Sequence, residues 1–253
     1  MRRFFIDGQP AIGTTVRISD REARHMVRVL RLKPGDTILL NNEAGLQYTA
    51  RIVAAKSDYV EAVVMALEAA PVESILDVTV ALGFLKEKKM DTLVRQLTEL
   101  GTTRFMPFFA ERSIARPSED RLAARYERWE KIAREALKQC RARHVPVIHP
   151  AVRLDEAIAS SRGSDLKIVF WEEAVDPIPE NSGLSASGGT VFLMLGPEGG
   201  LSRQEVQAAK AAGFTVCTLG PRILRAETAA ITACSLVQYL WGDLRYRSVT
   251  ERL

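Results

Sequence analysis

At 253 residues with a formal net charge of +4, the chain is long enough for one or two domains and basic enough to admit a nucleic-acid partner. No stretch of 18 uncharged apolar residues occurs, and no apolar region with a small-residue cleavage site follows Met1-Arg2-Arg3, so neither a membrane span nor a secretory signal is expected. Cys140, Cys217 and Cys234 sit in apolar periodic segments as reduced core residues of a cytoplasmic protein, and without a Cys-x-x-Cys or partners for His25, His144 and His149 no metal site is expected.

Residues 1–70 predict a small β-rich domain. Strands are expected over 14–18, 37–40, 46–54 and 59–67, parted by turns at 33–36, 43–45 and 56–58. Residues 47–52 alternate polar and apolar, the pattern of a strand with one wet face. Ser19-Asp20-Arg21-Glu22 has capping-box spacing and predicts a helix through 23–32. On it Arg24, Arg28 and Arg31 fall at i, i+4 and i+7, a basic stripe that reads either as a solvated face or as an RNA-docking surface.

The segment 68–74 breaks this pattern and divides the chain into domains at 1–70 and 74–253. Beyond it, short apolar runs at 78–82, 104–109, 145–148, 166–171, 191–195 and 214–219 alternate with helical patterns. That arrangement predicts an α/β domain with a parallel sheet covered on both faces. Helices are expected over 88–100, closed by Gly101, and over 118–140, where Leu122, Tyr126, Trp129, Ile132, Ala133, Ala136 and Leu137 form the apolar stripe. Glycine and serine over 181–189 predict a mobile loop. The mostly apolar helix expected at 229–241 must be buried or form a subunit interface.

Two loops carry the chemistry. Leu195-Gly196-Pro197-Glu198-Gly199-Gly200-Leu201 and Leu219-Gly220-Pro221-Arg222-Ile223-Leu224-Arg225-Ala226-Glu227-Thr228 both follow a buried-strand pattern and lead into helices, from Ser202 and from Thr228. Ligands of parallel sheets bind beyond the carboxyl ends of the strands, where such loops emerge. Neither loop is a Gly-x-Gly-x-x-Gly fingerprint, and no Gly-Lys-Ser/Thr follows, so neither a dinucleotide nor ATP is expected. A planar ligand held by main-chain groups fits better, with apolar contacts from Leu195, Leu219, Ile223 and Leu224.

Residues 195–202 together with 219–233 resemble the ribosomal RNA small subunit methyltransferase E family, the 16S rRNA uridine-N3 methyltransferases of the SPOUT superfamily. His25-Met26-Val27-Arg28-Val29-Leu30-Arg31 resembles the family's amino-terminal signature. Lys86 and Lys89 before Glu99-Leu100-Gly101, and Pro107 before Glu111-Arg112-Ser113, are similar as well. The pattern departs after Gln139-Cys140, where the family carries arginine two residues on and this chain has Ala142 between Arg141 and Arg143. The resemblance implies a PUA-like β-barrel followed by an α/β domain with a mostly parallel sheet and a trefoil knot. It also implies an S-adenosylmethionine cofactor, a homodimer, and 16S rRNA of the small ribosomal subunit as substrate.

Cofactor contacts are then expected from Trp171, Leu195, Gly196, Pro197, Glu198, Gly199, Gly200, Leu219, Gly220, Ile223, Leu224, Arg225, Thr228 and Ala229. Phosphate contacts fall to Arg24, Arg28, Arg31, Lys86, Lys89 and Arg112. For N3 to attack, its proton must leave, so Glu198 or Glu227 is a candidate base, and Arg225 can balance charge growing on the uracil oxygens. The bland alternatives are that Glu198 ties down its own loop and that Arg225 pairs with Glu227. Two other readings remain open. One keeps the fold but methylates a ribose 2′-hydroxyl or a tRNA base. The other is a non-catalytic RNA-binding ribosome assembly factor.

Overall fold

The computed structural model describes residues 2–42, 45–68, 74–86, 88–140, 144–185 and 188–245. The expected boundary at 68–74, the turn at 43–45, the loop at 181–189 and the arginines Arg141 and Arg143 fall wholly or partly outside the described residues. The chain forms two compact units, residues 1–72 with 141–144, and 73–140 with 145–253.

The first unit is a five-stranded sheet. In spatial order it runs β1 (Arg3–Phe5), β3 (Thr37–Asn41), β4 (Gln47–Ala55), β5 (Tyr59–Leu67) and β2 (Thr15–Ser19). All pairs are antiparallel except β1 with β3. Alternation puts Tyr48, Ala50 and Ile52 of β4 and Val60, Ala62 and Val64 of β5 into one core, as the strand period requires. Register shifts between Thr49 and Ala50 and between Ile52 and Ala54 bend β4. Four of the strands match the sequence pattern. The fifth, β1, did not stand out, because three residues paired with a strand more than thirty positions away leave no local periodicity.

The helix expected to run to Leu32 does not. Helix α1 (Asp20–Arg24) passes into a π-helical turn, His25–Val29. There the Leu30 N–H donates to the His25 carbonyl at 3.0 Å and the Leu32 N–H to the Met26 carbonyl at 3.0 Å. Arg31 sits at φ 55°, the left-handed region that ends helices. The stripe is therefore broken after Arg28, although Arg24, Arg28 and Arg31 are all exposed.

The second unit is a parallel sheet in the order β12 (Thr215–Cys217), β10 (Leu166–Phe170), β11 (Gly189–Leu195), β6 (Leu76–Gly83), β7 (Arg104–Phe109), with β8 (Val147–Ile148) and β9 (Val152–Arg153) both pairing β7. Its central strands β6, β7, β10 and β11 are buried on both faces, which is why they read as continuous apolar runs. Val78, Val80 and Leu82 of β6 point with Val191, Leu193 and Leu195 of β11 toward α2 (Lys89–Glu99), α3 (Glu119–Cys140) and α6 (Ala226–Trp241). Ala81, Phe192 and Met194 point the other way, toward α4 (Leu154–Ser160) and α5 (Arg203–Ala211). Trp129 anchors the α2–α3 contact. It is fully buried and donates its indole N–H to Asp91 at 2.9 Å. Gln238, also fully buried, ties α6 to the end of α2 by donating to the Leu100 and Gly101 carbonyls at 3.0 and 3.3 Å.

Burial pushes the Cys217 and Cys234 thiols up to about 11, so both are protonated core groups at neutral pH. Strand β9 and helix α4 were not expected. A two-residue strand carries no period, and Arg153, the N-cap of α4, is not a capping residue type. Among the described residues no helix is long and apolar enough to cross a membrane, and no cluster of metal-ligating side chains occurs.

Candidate active site

Strands β6 and β11 are neighbours at the centre of the sheet, and their outgoing loops meet at its carboxyl edge. Gly83, the last residue of β6, makes this approach possible. A Cβ there would lie 2.8 Å from the Gly196 carbonyl carbon and nearer still to the Pro197 nitrogen and Cδ. The loop after β11 is therefore laid directly on the end of β6. It closes by a turn in which the Gly200 N–H donates to the Pro197 carbonyl at 2.9 Å. Beyond it Ser202 caps α5 reciprocally with Glu205, with Ser202 N–H to Glu205 Oε2 at 2.8 Å. Arg112 braces the loop from the β7 side, donating to the Gly199 carbonyl at 3.2 Å.

The loop after β12 is held by Thr218, whose hydroxyl accepts the Gly220 N–H and donates to the Gly220 carbonyl, both at 3.1 Å. Gly220 has φ 103°, which a side chain resists, and its Cβ position faces open space. A third wall comes from the segment after β10. Trp171 is fixed there by its main-chain N–H on the Cys217 carbonyl at 3.1 Å and its indole N–H on the Leu201 carbonyl at 3.3 Å.

Between these three loops lies a cavity of about 800 Å³. Of the residues expected to contact a cofactor, Trp171, Leu195, Gly196, Pro197, Glu198, Gly199, Gly200, Leu219, Gly220, Ile223, Leu224, Arg225 and Ala229 all line it. Thr228 does not. Helix α6 begins at Ala226, three residues before the expected start at 229, so Ala226 and Ala229 take the cavity face and Thr228 turns off it. Sequence reasoning missed Phe170, Glu172, Ala174 and Val175. The end of a third parallel strand was the available signal, but no glycine motif marked its loop.

One of the two bland alternatives is consistent with the structure, since Glu198 tethers its own loop by accepting from its own N–H and from the Lys86 N–H. Arg225 does not pair with Glu227: its guanidinium is exposed, lines the cavity and has no hydrogen bond or ion pair among the described residues. Lys89, expected at RNA phosphate, instead lines the cavity with its ammonium 3.3 Å from Glu198 Oε1 and 3.4 Å from Glu227 Oε2. Burial works against the Lys89 charge, but the two glutamates outweigh it and raise its pKa. Burial likewise favours the neutral form of Glu198. The Lys86 N–H at 3.1 Å, its own N–H and Lys89 outweigh that and hold the carboxyl below its usual range. Glu227 does not line the cavity and stands behind Lys89, with Oε2 shut off from solvent and lacking an aligned hydrogen bond. Lys86, Arg112, Arg24, Arg28 and Arg31 are exposed.

The second unit matches an RNA methyltransferase domain over residues 72–238, and the first matches an RNA methyltransferase PUA domain over 18–65. The chain is 31% identical over 254 residues to a ribosomal RNA small subunit methyltransferase E of Bacillus subtilis, covering 97% of this chain and 99% of that one. The chain belongs to the ribosomal RNA small subunit methyltransferase E family. The Mycobacterium tuberculosis member is 28% identical, with 98% of each chain covered. The crystal structure of the Neisseria gonorrhoeae member bound to S-adenosyl methionine superposes with a TM-score of 0.87 at 32% identity, covering 96% and 99% of the two chains. A Legionella pneumophila relative crystallised with S-adenosylmethionine gives 0.81 at 28%, covering 95% and 98%. The methyltransferase thus shares with these structures a PUA-type first unit and a mostly parallel SPOUT α/β unit.

Proposed function

We propose that this chain methylates the N3 atom of a uridine in 16S rRNA, with S-adenosylmethionine as donor. The observation that carries the reading is the main-chain-lined cavity at the central strand ends, in a chain of this family. Its volume falls within the roughly 300–1,000 Å³ of small-molecule sites. S-adenosylmethionine fits the lining. Trp171, Leu195, Leu219, Ile223 and Leu224 offer apolar surface to a purine, the main chain of the two Leu-Gly-Pro loops offers donors and acceptors, and Glu198 offers countercharge to a sulfonium. The open Cβ position of Gly220 is space that a side chain would fill.

Bound there, S-adenosylmethionine supplies an electrophilic methyl group. The rest falls to the chain. Uracil N3 carries a proton, and its lone pair is poor until that proton leaves. Of the two candidate bases, Glu198 lines the cavity, whereas Glu227 reaches it only through Lys89. A carboxylate held below its ordinary pKa accepts a proton weakly, so the larger contribution comes from Arg225, whose guanidinium, unpaired among the described residues, stabilises negative charge as it grows on the uracil oxygens.

Arg24, Arg28 and Arg31 of the PUA-type unit, with Lys86 and Arg112 near the cavity, are the proposed phosphate contacts. Their exposure supports this role. A homodimer completes the proposal, supported by exposed Leu236, Tyr239 and Leu244 in and just beyond α6. The trefoil knot belongs to it too, supported by membership of the family. The test is methyl transfer from labelled S-adenosylmethionine to purified 30S subunits beside free rRNA. Label in the small-subunit RNA as N3-methyluridine supports the assignment, and label elsewhere or none refutes it.

A further inference from the structure

We propose that Lys89 is a positioning residue of this site: its ammonium clasps Glu198 and Glu227 and thereby sets the spacing between the Gly-Pro-Glu-Gly-Gly loop and the first turn of α6. It rests on the reading above only for the ligand used in one of its two tests.

The argument starts from where the three groups are attached. Glu198 rides on the loop after β11, Glu227 on the first turn of α6, and Lys89 begins α2. Each segment contributes to the cavity wall. Lys89 Nζ lies 3.3 Å from one carboxylate and 3.4 Å from the other, so the two carboxylate oxygens can be no farther apart than those distances combined. Side-chain exposures of 36%, 21% and 25% for Lys89, Glu198 and Glu227 leave the cluster partly shielded, where water screens charge less than at an open surface. Two negative charges so close repel unless a cation stands between them.

No other cation does so among the described residues. The cations on the surrounding elements are Arg125 and Arg128 of α3, Arg225 before α6, Lys86 and Lys88 before α2, and Arg112, which donates to the Gly199 carbonyl; Glu172 is a further carboxylate beside the loop, against Gly200. Arg128 pairs with Asp91 at 2.8 Å, and Arg125 lies 5.5 Å over the Phe84 ring. Lys86 approaches Glu198 through its main-chain N–H. Among the described residues only Lys89 forms an ion pair with either glutamate. Glu227 Oε2, enclosed and without an aligned hydrogen bond, has that ammonium as its single compensation among the described residues. The lysine's nearness to the cavity is thus a by-product of joining two of its walls.

The account predicts a pH dependence that a lost packing contact cannot mimic. In Lys89→Met the glutamates face each other uncompensated at pH 8 and push the loop and α6 apart. On acidification one takes up a proton and shares it with the other, so the folded variant binds more protons than the unfolded chain and its stability recovers toward pH 5. The first test is thermal unfolding without ligand. The melting temperature of Lys89→Met should fall below the parent's at pH 8, and the gap should narrow at pH 5. The second is calorimetry with S-adenosylmethionine, where Lys89→Met should lose about tenfold in affinity at pH 8. Lys89→Arg should keep most of the affinity. Lys89→Met/Glu227→Gln, which removes one of the opposed charges, should regain most of it and most of the melting temperature.

A pH-independent gap in melting temperature, or a double variant no more stable than Lys89→Met, overturns the proposal whether or not the parent binds S-adenosylmethionine. Failure of the parent to bind would instead count against the cofactor assignment, leaving the unfolding series to decide the role of Lys89.

Discussion

Replacing Arg225 by alanine separates chemistry from architecture. The side chain is exposed and makes no hydrogen bond or ion pair among the described residues, while Glu227, its nearest carboxylate in sequence, is held by Lys89. Truncating an exposed, unpartnered side chain costs under about 0.5 kcal/mol. For a chain of this size that is a shift of roughly 1–2 °C in melting temperature. Cofactor affinity should also change little, because the charge that Arg225 meets exists mainly in the transition state. The rate is another matter. One fixed donor to a developing oxyanion contributes about 100–1,000-fold, and the single-turnover rate should fall by that factor. Lysine should restore part of it, since a point charge does not reproduce the planar fork of a guanidinium. The assay is single-turnover methyl transfer, with melting temperature and S-adenosylmethionine affinity measured on the same preparation. A near-parental rate removes Arg225 from the chemistry, and a parallel fall in stability and affinity makes it structural.

Gly83→Ala should drive the loop after β11 off the end of β6, because the new Cβ meets main chain rather than a movable side-chain tip. Overpacking of this kind costs about 1–3 kcal/mol, and calorimetry should show cofactor affinity falling with the melting temperature; parental values for both would mean that the two loops do not touch. Replacing Arg24, Arg28 and Arg31 together should weaken RNA binding and flatten its salt dependence while sparing cofactor affinity, and an unchanged salt slope would leave them as a solvated surface. Glu198→Gln tests the depressed carboxyl. Its ionised form stabilises the fold above the ordinary value of 4.5, and that contribution is lost as pH falls through the lower folded value. The stability gap between parent and variant should therefore be full at pH 7 and close below about pH 4.5 in acid-titration unfolding.

What the sequence revealed was where chemistry needs bare main chain. Two Leu-Gly-Pro loops after apolar runs marked the cavity, since glycine at a strand end is visible without knowing which strands are neighbours. What it concealed depended on distance or on unusual turns. Nothing near Lys89 announces Glu198 or Glu227, more than a hundred positions away, so the clasp appears only when β6, β11 and α6 are assembled. The π-helical turn at His25–Val29 follows an ordinary helical pattern, and the residue that ends it is an arginine where glycine is the usual signal. Thr228 was misplaced for a related reason. Threonine is a favoured N-cap and arginine is not, yet α6 is capped at Arg225 with no side-chain bond.

The central claim is the atom that receives the methyl group. Nucleoside mass spectrometry of small-subunit rRNA, from a strain lacking this chain and from its parent, measures that atom directly. The account predicts that N3-methyluridine disappears with the gene and returns with the wild-type copy but not with Arg225→Ala. An unchanged N3-methyluridine level, or loss of a 2′-O-methylated nucleoside instead, would contradict it.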